Sequence, residues 1–300
     1  MPVRVAVVGS TASGKSAIAM AAAQQLRDVD LVSVDSMQVY RGMDIGTAKP
    51  TRAERAAIRH HLLDLVEPTE EFTVADFRDA YAAALEEITR AGRRALLVGG
   101  TGLYHRVLVD DFDLPGQWPA IRSELEADAN TGALFDRLQQ LDPLAATKIE
   151  PGNRRRIVRA LEVSLGSGRP FSSFGPGVDD YPPSAVEQIG VRWPRNVITD
   201  RIAQRVRQMI ADGLVAEVQA LAESGLSRTA AQALGYKEIL AMLDGQMSQD
   251  EAIAAIITHT RQFAVRQERW FRRDPRVRWI DVEHDAVAEV TPTVIDALNA

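Results

Sequence analysis

The chain has 300 residues, a formal net charge of −6, 46% hydrophobic and 25% charged residues, and no cysteine. That composition fits a globular protein with room for one large domain, or for a core carrying an inserted module, and it excludes disulfides and thiolate metal sites. The acidic total argues weakly against a nucleic-acid partner, yet Arg154-Arg155-Arg156 with Arg159, and the stretch 261–278, are strongly basic; a nucleic-acid surface needs a patch, not a basic total. No apolar run reaches membrane-spanning length and the first residues read as a core strand rather than a leader, so a cytoplasmic location is expected.

An apolar run at residues 3–8 leads into Gly9-Ser10-Thr11-Ala12-Ser13-Gly14-Lys15-Ser16, and a helical pattern opens at Lys15. Strand, glycine loop and helix form the setting in which backbone N–H groups wrap phosphate oxygens. The lysine adds a point charge, the serine hydroxyl can hold Mg2+, and the helix N-terminus adds its positive end. Residues 9–16 are therefore expected to cradle a phosphate ester, with Ser16 as the metal ligand. The motif looks at first like an ATP site but does not specify its ester.

A second run, 31–34, ends at Asp35-Ser36-Met37-Gln38-Val39-Tyr40. Asp35 reads as a base or Mg2+ ligand, or as a cap for the next segment. Thr73-Val74-Ala75-Asp76 resembles a capping box, with Phe77, Tyr81, Ala84, Leu85 and Ile88 at helical spacing and Gly92 as the stop. A third run, 95–98, ends at Gly99-Gly100-Thr101-Gly102 without the acid that commonly holds Mg2+ in P-loop enzymes. Glycines there let a ligand or backbone approach closely, or form a plain turn.

Between about 114 and 181 the strand signal disappears. Helical periodicity occupies segments near 119–130, 133–141 and 154–165, with Pro and Gly at 114–116, 175–177 and 182–183 marking the edges. In the last segment Arg155 and Arg159 share one face, with Ile157, Ala160 and Leu161 opposite. A strand at 186–191 follows, then a long helix over 196–223 in which Arg201 and Arg205 share a face; they can grip a diphosphate or simply solvate the helix. A helical tail to residue 273 turns Ile253, Ile256, Ile257, Thr260, Phe263 and Ala264 inward and Arg266, Arg269 and Arg273 outward. That arginine stripe is a candidate for phosphate-backbone contact, whereas Trp270 and Phe271 are more often core. A last strand is expected at 277–282.

Strands alternating with helices predict an α/β fold: a P-loop NTPase-like, doubly wound parallel sheet with a helical insertion domain and its ligand site at the carboxyl ends of the strands. The expected domains are 1–114, the core's first part; 115–183, the insertion; and 184–300, the core's second part.

These residues carry a resemblance over nearly the whole length. The chain resembles the bacterial tRNA dimethylallyltransferases (tRNA isopentenyltransferases) in residues 9–16, in 34–40, and in Gly42-Met43-Asp44-Ile45-Gly46-Thr47-Ala48-Lys49-Pro50. Residues 60–64, 97–104, 153–163, 232–238 and 260–267 also fit. It departs from the family at Ser10, where a proline is usual, and at Glu150-Pro151-Gly152-Asn153, where His-Pro-Asn-Asp is usual; the zinc-finger extension of eukaryotic relatives is absent. The resemblance implies transfer of a dimethylallyl group from dimethylallyl diphosphate to the N6 amine of the adenosine 3′-adjacent to the anticodon, in tRNAs reading codons that begin with U. It implies Asp35 as general base, Thr11 orienting the amine, Arg205 on the leaving group, and Mg2+ as cofactor. The anticodon stem-loop is then expected on Asp35, Ser36, Met37, Gln38, Thr101, Arg122, Arg155, Arg156, Ile157, Val158, Arg159, Gly235 and Tyr236, with Gln38 reading the base edge. A monomer is expected. The competing readings are a small-molecule kinase, a prenyltransferase acting on free adenine nucleotides, and a non-catalytic RNA-binding protein.

Overall fold

The computed structural model describes residues 4–110, 114–175, 177 and 180–300. Val3 of the expected first strand and Pro176 of the expected insertion edge lie outside them. The chain divides into two compact units, Met1–Asp110 with Tyr181–Ala300, and Asp111–Asp180. No helix among the described residues is long and apolar enough to cross a membrane.

The first unit is built on six parallel strands: β1 Arg4–Gly9, β2 Val29–Val34, β3 His60–His61, β4 Arg94–Gly99, β5 Val186–Arg192 and β6 Val277–Asp281. Their order is β3-β2-β4-β1-β5-β6, which puts β1 inside the sheet, flanked by β4 and β5. The central strands are apolar throughout because both faces are covered. Ala6 and Val8 of β1 join one core cluster, while Val5 and Val7 join the other. Each fully buried Val or Leu in such a layer contributes about 1.5–3 kcal/mol.

One face carries α1 (Lys15–Leu26) and α13 (Ala286–Asn299), through Ile18, Ala22, Val290 and Val294. The other carries α3 (Val74–Arg90), α4 (Gly102–Asp110), α9 (Arg195–Ala211), α10 (Leu214–Ser224), α11 (Tyr236–Leu243) and α12 (Gln249–Phe271). A short helix, α2 (Arg52–Ala57), precedes β3. The Thr73–Asp76 capping box is present, each residue satisfying the other's backbone N–H.

The second unit holds α5 (Pro119–Ala127), α6 (Thr131–Leu141), α7 (Pro143–Lys148) and α8 (Arg154–Ser167) around Leu125, Leu134, Leu138, Ile157 and Leu161. The insertion expected at 115–183 overlaps this unit.

One expectation needs correction, and two elements were not expected. The helix expected over 196–223 is two helices, because Gly213 adopts φ +103° between α9 and α10. The two-residue β3 is too short to give a periodic run. Helix α13 follows the last strand, capped by Asp285, whose carboxylate accepts from the N–H groups of Val287 and Ala288.

His105 on α4 is buried, with Nε2 2.7 Å from Gln188 Oε1, and burial pushes its pKa down to about 4. In the unfolded chain it titrates near 6.5, so the unfolded state binds the extra proton between pH 6.5 and 4. Stability from this group is therefore full above pH 6.5 and falls by about 3 kcal/mol as pH drops to 4. Urea midpoints at pH 7, 5.5 and 4 should fall less steeply in His105→Gln than in the parent.

Candidate functional site

The carboxyl ends of β1, β2 and β4 bring residues 9–16, Asp35 and 99–101 to one edge of the sheet. The loop after β1 needs its first glycine: at Gly9 φ is +147° and a Cβ would lie 2.7 Å from Val191 O. Gly14, at φ +95°, turns the chain into α1. Lys15 folds back so that Nζ donates to Ser10 O at 2.6 Å. Trp193, just past β5, donates its indole N–H to Ser13 O at 3.0 Å.

Two cations and one carboxylate dominate the electrostatics. Arg205 of α9 points into the loop, with Nη1 3.4 Å from Thr11 Oγ1. Burial, reinforced by Arg205, pushes the Lys15 pKa down to about 7, while Asp35 pulls it up. Burial lowers the Arg205 pKa too, again opposed by Asp35. One carboxylate thus faces two desolvated, mutually repelling cations, and an added anion relieves both penalties. Arg201, which sequence places on the same face as Arg205, instead stacks on Trp193, its guanidinium carbon 4.8 Å from the ring centroid.

Asp35 Oδ1 accepts the Met37 N–H at 2.9 Å, so the residue also caps the turn that follows it. The next residue is held from β4: Thr101 Oγ1 accepts the Ser36 N–H at 3.1 Å. The glycines after β4 make room for protein groups. A Cβ at Gly99 would lie 2.0 Å from Val34 O, one at Gly100 2.2 Å from Gln267 Nε2, and one at Gly102 2.3 Å from the Trp270 ring. Gln267 of α12 was not singled out as a site residue by sequence reading, yet its Oε1 accepts from Thr11 N–H at 2.8 Å and its Nε2 donates to Gly100 O at 2.9 Å. The available signal was a polar residue on the inward stripe that runs through Phe263 and Ala264.

Several residues expected to contact RNA also hold the protein's own loops. Gln38 Nε2 donates to Thr47 O and Ala48 O at 3.1 and 3.3 Å, and its Oε1 accepts from Ser33 Oγ at 2.7 Å, so the amide holds a loop. Tyr236 is wholly buried; its hydroxyl donates to Glu217 at 2.5 Å and its ring covers Gly46. Gly235 is buried beside it. Glu217 also accepts the N–H groups of Asp44, Ile45 and Gly46, and Lys49 lies buried against Asp44, Asp64 and Tyr40 O. The block 44–50 is thus a wrapped loop pinned by buried charge.

In the second unit, Ile157 and Val158 are 0% and 3% exposed and belong to its core, because they fall on the apolar side of α8. Their side chains pack in that core. Arg155 and Arg156 are exposed. Arg159 pairs with the buried Glu162 at 3.0 Å and donates to Pro115 O, while Arg122 approaches Glu162 at 3.8 Å and Glu126 at 3.0 Å.

A cavity of about 420 Å³ opens beside Ser10 at the β5 end, lined in part by Trp193, Ile202, Arg261, Arg266, Arg269 and Trp279. Among the described residues no cluster of three or more His, Asp or Glu forms a metal centre.

A family model described as IPP transferase matches residues 38–274. A tRNA dimethylallyltransferase of Salinispora tropica is 49% identical over 282 residues, covering 92% of this chain and 88% of the relative. One from Paenarthrobacter aurescens is 44% identical over 300 residues, covering 98% and 96%. Among solved structures, a tRNA isopentenylpyrophosphate transferase from Bacillus halodurans superposes with TM-score 0.72 at 39% identity, covering 100% of this chain and 97% of its own. A eukaryotic dimethylallyltransferase acting on tRNA gives TM-score 0.78 at 25% identity, covering 93% and 73%.

A Lys15 that titrates near 7 makes anion binding proton-linked. A bound diphosphate favours the charged lysine and raises its pKa, so binding at pH 8 takes up a proton that binding at pH 6 does not. Calorimetry with inorganic diphosphate in two buffers of different ionisation enthalpy should show the parent taking up about one proton more than Lys15→Met at pH 8 and close to none more at pH 6, the ligand's own protons cancelling in the difference.

Proposed function

Because the chain belongs to the IPP transferase family, we propose that it transfers the dimethylallyl group of dimethylallyl diphosphate to the N6 amine of the adenosine 3′-adjacent to the anticodon, in tRNAs reading codons that begin with U. The observation that supports this most is the convergence of Lys15, Arg205, Thr11 and Asp35 at one edge of the sheet. Residues 9–16 take the diphosphate, with Lys15 and the loop N–H groups on its oxygens and Arg205 on the charge that grows as the allylic C–O bond breaks. The N6 lone pair forms the new C–N bond, the C–O electron pair leaves with the diphosphate, and Asp35 accepts the N6 proton. Thr11 orients the amine from inside the loop.

The Ser16 hydroxyl, exposed at the start of α1 and hydrogen-bonded to none of the described residues, suits a hard cation that shares its other ligands with diphosphate oxygens and water. Ser16 would hold Mg2+, which when bound supplies further neutralisation of the leaving group. The adenosine must leave its stack to reach Asp35, at a cost of a few kcal/mol. Arg155 and Arg156, exposed on α8, offer phosphate contacts, and Arg122 and Arg159 add a second pair beside Glu162. The protein acts in the cytoplasm as a monomer.

The direct assay incubates the protein with unmodified tRNA, dimethylallyl diphosphate and Mg2+ and follows the prenylated nucleoside by mass analysis; ATP turnover in its place would favour the kinase reading. Asp35→Asn should lower kcat by about 10²–10⁴-fold. The rate is read at pH 6 as well, because removing Asp35 also removes the charge that keeps Lys15 protonated. Arg205→Ala should lower kcat by about 10²-fold. An unchanged rate in either variant sinks that residue's role.

Replacing Arg155 and Arg156 together by Ala should raise the KM for tRNA and reduce the slope of log affinity against log salt by about 2, leaving kcat near the parent's. An unaltered salt slope would take both arginines off the RNA.

A further inference from the structure

Gln267 lies on the inward face of α12 and is 7% exposed. Both ends of its amide are used, and on different loops. Oε1 accepts the N–H of Thr11, two residues past β1, and Nε2 donates to the C=O of Gly100, just past β4. One planar group therefore fixes the spacing of two strand-end loops. Gly100 makes this possible, since a Cβ there would sit 2.2 Å from Nε2.

The linkage continues on both sides. Thr101, next to Gly100, accepts the Ser36 N–H and so holds the segment that carries Asp35. On the other side Thr11 presents its hydroxyl toward Arg205. The Thr11 N–H is also withdrawn from the phosphate-facing donors of the loop, because Gln267 takes it. What this hydrogen bond fixes is the aim of the Thr11 side chain.

We infer that Gln267 is a positioning residue: it holds Thr11 and the loop after β4 in register, so that the Thr11 hydroxyl and the Asp35 carboxylate meet the same reacting amine. The inference rests on the transferase reading of Thr11 and Asp35. Gln267 itself touches no reacting atom in this scheme. Its effect belongs in kcat, since a displacement of about 1 Å in an aligned group costs up to about 10²-fold.

The test compares the parent with Gln267→Met, which keeps the length but supplies neither strong donor nor acceptor, and with Gln267→Glu, which keeps the acceptor for Thr11 and loses the donor to Gly100. Steady-state transfer is measured with tRNA and dimethylallyl diphosphate, alongside the thermal midpoint. Gln267→Met should lower kcat by about 10- to 100-fold and change the KM for dimethylallyl diphosphate far less; Gln267→Glu should recover part of the loss. In a double-variant cycle, adding Gln267→Met to Thr11→Ala should cost less than it does in the parent, because the group it aims is gone. Gln267→Glu serves in the cycle where Gln267→Met does not fold. A kcat equal to the parent's in both single variants, or losses that multiply in full in the double variant, overturns the inference. A parent protein that transfers no prenyl group defeats the function proposal instead, so the two failures are distinguishable.

Discussion

Two desolvated cations facing one carboxylate set the terms for the rest of the site. Lys15 and Arg205 repel each other, and burial lowers the pKa of both. Asp35 is the carboxylate that opposes both shifts. A protein keeps such an imbalance only where the surrounding structure enforces it, and here the enforcement is visible. Lys15 is tied to Ser10 O, Arg205 is delivered by a packed helix, and Asp35 is fixed by its own turn and by Thr101 one residue on. The excess of positive charge suits a polyanionic ligand.

That arrangement requires the strand-end loops to keep their spacing, and the packing on the helical face of the sheet supplies it. The glycines at 99, 100 and 102 admit Val34 O, the Gln267 amide and the Trp270 ring. Each is a backbone or side-chain group of the protein, so the loop after β4 is a packing joint as well as a rim of the site. The block 44–50 works similarly at the β2 side. Glu217 collects three successive backbone N–H groups, as an anion sits in a nest, and the buried Lys49 balances Asp44 and Asp64.

The legibility of the chain follows from this division. The parallel strands, the loop at 9–16 and Asp35 were readable because continuous apolar runs and a tightly spaced motif report local structure directly. The internal partners of Gln38, Gly235 and Tyr236 were not readable, because a motif marks a residue as constrained without saying what constrains it. Tyr236 is held by burial against Gly46 and Glu217, which lie far from it in sequence. The burial of Ile157 and Val158 was hidden for a simpler reason: on a helix a contiguous stretch such as 155–159 spans both faces, so its side chains do not form a single surface. Gln267 went unassigned because its partners are backbone groups more than 160 residues away in sequence.

The second unit shows the same economy in its charges. Glu162 is 1% exposed and would be costly alone, yet it accepts the Trp118 N–H and lies 3.0 Å from Arg159 and 3.8 Å from Arg122. Two arginines converge on one buried carboxylate, and Glu126, 3.0 Å from Arg122, balances the second charge. These contacts restrain both planar guanidinium heads, which lowers the rotamer entropy that a further contact would cost. Arg155 and Arg156 carry no such restraint: they are exposed and without an ion pair among the described residues. Sequence spacing, which put Arg155 and Arg159 on one face, has no means to separate a guanidinium held by a buried carboxylate from one that is not.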